Sequence, residues 1–247
     1  MIESLEIEHL HRPRKIDMVR LLINSIGIFA SGFLGSIIVM AFLFLLSTAF
    51  SFNFNTESGA SGVKEGFLFP FMFSLVVFLG TTITMLFTYT ILTVTSKEHY
   101  KRNMVTFFNI VLFSVLIYIF ILPLYLYVGE YYYENIFLVF ILHNLVVFLL
   151  FSIVLELINN YTHIFLGVYS SFLGTMITIL LATKYGIYAN SKGKVILIIF
   201  LIPILNFLNY FTKQLIEVAY YNYYKYTGND PIGNVFYQAE KEEKENG

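Results

Sequence analysis

Six stretches of the chain are apolar over long, nearly unbroken runs, at about residues 18–50, 67–95, 104–128, 136–157, 164–185 and 195–226. Within them the apolar positions neither alternate, as in a half-buried strand, nor keep to one stripe, as in a soluble amphipathic helix. Runs apolar on all sides match the roughly 20 residues needed to cross a hydrocarbon core of about 30 Å. The pattern predicts an all-α polytopic membrane bundle of six transmembrane helices. The domain plan is a polar segment 1–17, a transmembrane domain 18–226 and a polar tail 227–247. The last run is among the longest. It begins as a span, then carries Asn206, Asn209, Tyr210, Lys213, Glu217, Tyr220, Tyr221 and Tyr224 at three- and four-residue steps, which share one side of a helix.

The polar connections set the expected orientation. Arg12, Arg14, Lys15 and Arg20 flank the first run, and Lys97, Lys101 and Arg102 lie between the second and third. With six crossings these residues share a side with Lys213, Lys225, Lys241 and Lys244, and the excess of Lys and Arg there makes it the cytoplasm. Lys184, Lys192 and Lys194 go against that rule, but Ile164 to Ala182 is long enough to cross and contains no charge. Both termini are then cytoplasmic. The first run is too long for the h-region of a cleaved signal peptide and reads as a retained anchor.

Composition sharpens this picture. The chain has 247 residues, 57% hydrophobic and 13% charged, against about a quarter charged for a soluble domain. The mean hydropathy is +0.73. A net charge of −1 gives no basic field for nucleic acid, and no nucleic-acid motif is present. The absence of cysteine excludes disulfides, thiolate metal sites and a cysteine nucleophile. No Trp is present, so interfacial anchoring falls to Tyr and Phe. Heavy use of Phe, Ile, Tyr, Asn and Lys points to an AT-rich genome and a prokaryotic cell (plasma or inner) membrane.

Inside the spans, small residues recur at helical steps: Gly27, Ser31 and Gly35 beside Gly32 and Ser36 in the first, and Gly167, Ser171, Gly174, Thr178 and Ala182 in the fifth. Such stripes let helix backbones approach closely. Thr81, Thr84, Thr88 and Thr95 lie along the second span, where their hydroxyls can bond their own backbone or a neighbour. Residues 78–86 and 172–180 agree at seven of nine positions (FLGTTITML and FLGTMITIL), a relation that an inverted three-plus-three repeat would produce. Pro123 and Pro203 do not fall at equivalent depths, which argues against a repeat.

The candidate polar residues inside the membrane are His143, Asn144, Thr81, Thr84, Thr88 and Asn206; an ionisable group such as His143 is a functional hypothesis by default at that depth. Asn24 is expected to bond across helices. Glu156 and His163 fall near a helix end, where a carboxylate reaches water. Lys213 is expected to reach toward the headgroups. Lys213, Glu217, Tyr220, Tyr224 and Phe236 form a candidate docking end, completed by a turn at Gly228-Asn229-Asp230-Pro231. No P-loop, zinc helix motif or convergent set of acid, base and nucleophile stands in the sequence. No catalytic, metal or cofactor site is therefore expected.

The reading that follows is a non-enzymatic structural or interaction subunit of a membrane complex. Its partners are the lipid bilayer and other subunits or further copies of the chain, engaged through the cytoplasmic end of the last helix and the tail. The alternative is a small transporter or permease subunit with a polar path near spans two and four. A lipid-active membrane enzyme ranks last.

Overall fold

The computed structural model describes residues 15–49, 68–96, 103–132, 135–159, 164–184 and 191–231. These form six α-helices: α1 (Met18–Ala49), α2 (Leu68–Thr95), α3 (Met104–Tyr131), α4 (Ile136–Asn159), α5 (Ile164–Lys184) and α6 (Ser191–Thr227). Each falls on one of the apolar runs. Five of them, α1, α2, α3, α4 and α6, are long and apolar enough to cross a membrane, which makes the chain a helical multi-pass membrane protein. In α5 the described apolar stretch is shorter, Phe172–Leu181.

Consecutive helices pack side by side, and α6 returns against α1, so the six close into a ring. α4 also touches α2 and α6 across it. The buried stripe of α4, with Val139, Phe140, His143, Asn144, Val147 and Phe148, therefore occupies the middle of the bundle.

Two boundaries differ from the sequence expectation. Residues 129–131, beyond the apolar run 104–128, continue α3. Gly129, within this extension, lets α3 approach α2 closely, since a Cβ there would come within 2.1 Å of Pro70 Cγ. α6 begins at Ser191 rather than Val195, because its polar first turn joins the helix outside the apolar run. Pro123 and Pro203 lie inside α3 and α6, which continue through both. The start of α3 is capped by Asn103, whose side chain accepts from the Val105 N–H at 2.9 Å.

Glycine sets how closely α1 approaches its neighbours. A Cβ on Gly35 would stand 2.0 Å from Thr84 Oγ1 and 2.5 Å from the Gly80 carbonyl oxygen. One on Gly32 would stand 2.4 Å from Pro203 Cα. Thus the small residues of α1 serve two sides, Gly35 against α2 and Gly32 against α6, and close packing replaces the hydrophobic drive that lipid removes. The matching glycine of α5, Gly174, also marks a close approach, with Asn209 Oδ1 2.6 Å from its would-be Cβ. Its partner helix is α6, however. A three-plus-three repeat maps α1 onto α4 and would place α4 opposite Gly174. The nine-residue likeness is therefore a shared local device, with Thr84 and Thr178 each donating to the glycine carbonyl four residues back at 2.9 Å.

Candidate functional site

The polar groups of the second span meet those of the first and last. Asn206 sits on the α6 face toward α1 and α2. Its Nδ2 donates to the Ile28 carbonyl at 3.0 Å and to Thr88 Oγ1 at 2.8 Å, with Ser31 Oγ at 3.2 Å. Ser31 and Thr88 share a hydrogen bond at 2.8 Å, and Ser31 also donates to the Ile28 carbonyl. Thr84 donates to its own Gly80 carbonyl and reaches the Ser31 carbonyl at 3.4 Å. Every one of these side chains is buried. In a bilayer no water competes for such groups, so each must find a partner within the protein.

A second cluster closes the same three helices nearer the end of α2. Asn24 Nδ2 donates to Ser96 Oγ at 2.8 Å and to Tyr210 Oη at 2.9 Å, while its Oδ1 accepts from Thr95. One turn farther along α6, Lys213 is 5% exposed and lies 3.9 Å from Glu217, which also accepts from Gln214 at 3.0 Å. The sequence suggests that Lys213 extends to the headgroups. It is instead folded back onto its own helix, because a carboxylate four residues on offers a nearer counter-charge.

His143 and Asn144 stand apart from this network. Both are fully buried on α4. His143 Nδ1 is 3.3 Å from Tyr125 Oη on α3, and the two rings meet edge to face with centroids 5.8 Å apart. His143 Nε2 has no hydrogen-bond partner. Asn144 Nδ2 donates to the Phe140 carbonyl at 2.7 Å, leaving Oδ1 without a partner. A small void one turn along, lined by Met85, Ser114, Ile117 and Val147 among others, has room for about one water.

The candidates therefore separate. Thr84, Thr88 and Asn206 converge with Ser31, Thr81 bonds only its own helix at Val77 and Phe78, and His143 with Asn144 faces elsewhere. Among the described residues no cluster of His, Asp or Glu could hold a metal ion. The chain matches no protein-family model, no curated protein and no solved structure.

The docking candidates lie on the far end of α6. Phe33 meets Phe200, Phe29 meets Phe207 and Asn24 meets Tyr210, so α1 and α6 run antiparallel in a fixed register. That register sets Met18 level with about residue 216. Glu217 to Thr227 then extends about 16 Å past the first residue of α1, at 1.5 Å per residue. The same argument from Gly174 against Asn209 leaves α6 running about 12 Å past Ile164 of α5.

This end is formally terminated. Gly228 takes φ +67° and its N–H bonds the Tyr224 carbonyl at 2.8 Å, a left-handed cap that favours glycine. The chain then turns back so that the Tyr220 hydroxyl donates to the Asp230 carboxylate. Tyr220 and Tyr224 are half-buried, and Tyr226 is 86% exposed. Phe236 lies outside the described residues, as do the side chain of Glu156 and all of His163.

Sequence reading misses Tyr125, the bond between Tyr220 and Asp230 and the role of Ser31 as a hydrogen-bonding centre. Asn24 and Ser31 are seven residues apart, as are Thr81 and Thr88, so each pair shares one helix face. That spacing is the available signal. Tyr125 carries none, because a tyrosine near a helix end reads first as an interfacial anchor.

Proposed function

We propose that the protein is a non-enzymatic structural or interaction subunit of a membrane complex, with six spans and both termini in the cytoplasm of a prokaryotic cell. The observation that carries this reading is the end of α6. It runs past α1, α2 and α5, is closed by a glycine cap, and folds back through Tyr220 and Asp230 into a defined shape. A defined protruding end with an exposed tyrosine offers a surface that a neighbouring subunit can grip without disturbing the bundle. Glu217, Tyr220 and Tyr224, with Phe236 in the tail, supply the docking contacts; Lys213, also a candidate from the sequence, is buried against its own helix and instead holds Glu217 in place. The pinned polar seam between α1, α2 and α6 supports the same reading, since it gives the protruding helix a rigid base.

The test is photo-crosslinking in native membranes from probes at Tyr226 and Asn222. Adducts with a membrane protein, weakened by Gly228→Ala and by Tyr220→Phe, are expected. Recovery of the chain without adducts would refute the docking role. Orientation is tested by single cysteines at Lys15, Lys184 and Lys225 in this cysteine-free chain. The first and third should react from the cytoplasmic side and the second from the opposite side; reaction of all three from one side would refute six crossings.

A second reading, a small transporter or permease subunit, draws on one specific observation. His143 Nε2 and Asn144 Oδ1 have no partners in the middle of the bundle, and polar groups there commonly mark transport paths. Solute flux in vesicles that is abolished by His143→Ala would favour it over the docking role.

A further inference from the structure

Asn206 and Asn209 lie three residues apart on α6, and α5 packs beside the second of them. Asn209 is 2% exposed, yet neither Nδ2 nor Oδ1 has a hydrogen-bond partner. Its backbone and amide oxygen press on Gly174, where a Cβ would meet Oδ1 at 2.6 Å and the Asn209 N and Cα at 3.0 Å. The next residue of α5, Thr175, also has a buried hydroxyl without a partner. Among the α5 side chains that the structure describes, none hydrogen-bonds another helix: Thr178 and Thr183 both donate within α5. Among the side chains of α5 that the structure describes, the buried positions are the small Gly174 and Thr178, while Phe172, Met176, Ile177 and Leu180 are exposed.

We propose that α5 has a second docked position on α6, turned about its own axis, in which the Thr175 hydroxyl hydrogen-bonds the Asn209 side chain. Adjacent residues on a helix differ in direction by about 100°, the angle implied by 3.6 residues per turn. A rotation of part of that angle moves Thr175 toward the place Gly174 holds. The position seen has tight backbone packing and two orphaned polar residues. The turned position exchanges packing for a hydrogen bond that lipid surroundings favour. The described part of α5 buries no bulky side chain, so the close approach at Gly174 is what the turn must open, whereas α1 and α2 are held to α6 by Asn24, Ser31, Thr88 and Asn206. The seam is thus a two-state element, of the kind that helix rotations at packed interfaces provide.

The test uses pairs of spin labels on introduced cysteines in the full chain in lipid bilayers, with no native cysteine to interfere. Leu180 on α5 paired with Ile37 on α1 reports the seam, and Phe120 on α3 paired with Ile37 is the reference; all three positions are lipid-facing and exposed. The seam pair should give two distance populations and the reference pair one. Thr175→Val and Asn209→Leu should each remove the same population. Gly174→Ala, which places a methyl against Asn209, should shift the distribution toward it. A single seam distance in the unaltered chain would overturn the proposal. So would two populations that none of the three substitutions changes.

Discussion

Asn206 and Asn209 have the same side chain on the same helix, less than one turn apart, and only one of them is used. Asn206 faces α1 and α2 and reaches three acceptors on those helices. Asn209 faces Gly174 of α5 and bonds nothing. The difference shows that the polarity of a residue in a membrane span does not decide whether it holds the bundle together. What decides is whether the facing helix brings oxygen or nitrogen to it. α1 and α2 bring Ser31, Thr88 and the Ile28 carbonyl. α5 brings a glycine whose own carbonyl already accepts from Thr178.

The largest loss should come from pushing α1 off α2. In Gly35→Val the first added carbon falls 2.0 Å from Thr84 Oγ1 and 2.5 Å from the Gly80 oxygen, a backbone atom that cannot step aside. The helices must separate, and the hydrogen bonds around Ser31 separate with them. The loss should be about 3 kcal/mol or more, at the upper end of overpacking costs, read as loss of folded protein in a detergent-unfolding titration. A stability near that of the unaltered chain would mean that the α1–α2 seam is not tightly packed.

Asn206→Leu is the next largest. It leaves Ile28 C=O, Ser31 and Thr88 without their shared donor while keeping roughly the same volume. Interhelical hydrogen bonds in membranes contribute about 0.6 to 2 kcal/mol, so a loss of about 1.5 kcal/mol is expected from a donor with several acceptors. Thr88→Val should cost less, about 0.5 to 1 kcal/mol, because Ser31 retains the Ile28 carbonyl and Asn206 retains two of its acceptors. Combining the two changes should cost less than the sum of the single losses, since both remove the same bond. Strict additivity would place Thr88 and Asn206 in separate interactions.

The same residues mark how far the amino-acid sequence alone reaches. The apolar runs locate each of the six described helices to within a few residues, because length and continuous hydrophobicity are local properties. The threonine face of α2 and the glycine steps of α1 point correctly to interfaces, since helical periodicity makes a face. Which faces meet is not legible: nothing in Thr84 or Gly32 says that the first looks to α1 and the second to α6. The burial of Lys213 is not legible either, because it depends on the position of Glu217 relative to the surrounding helices. His143 and Asn144 are visible as polar residues in a span, but their separation from the α2 threonines depends on the ring order of the helices.

The smallest expected effect is the sharpest test. In Asn209→Leu an amide with no partner is replaced by an apolar side chain of similar volume, in a seam surrounded by lipid-facing helices. No hydrogen bond is lost, and a buried polar group without compensation is removed, a group that costs about 1 to 3 kcal/mol where it stays unpaired. The substitution should therefore leave stability within about 0.5 kcal/mol of the unaltered chain or raise it, while Asn206→Leu lowers it. The two variants differ only in which neighbour the side chain faces, so propensity and hydrophobicity cancel between them. Equal losses in the two would mean that α5 supplies Asn209 with a bond most of the time, and the contrast between the two faces of α6 would then belong to one position of α5 rather than to the fold.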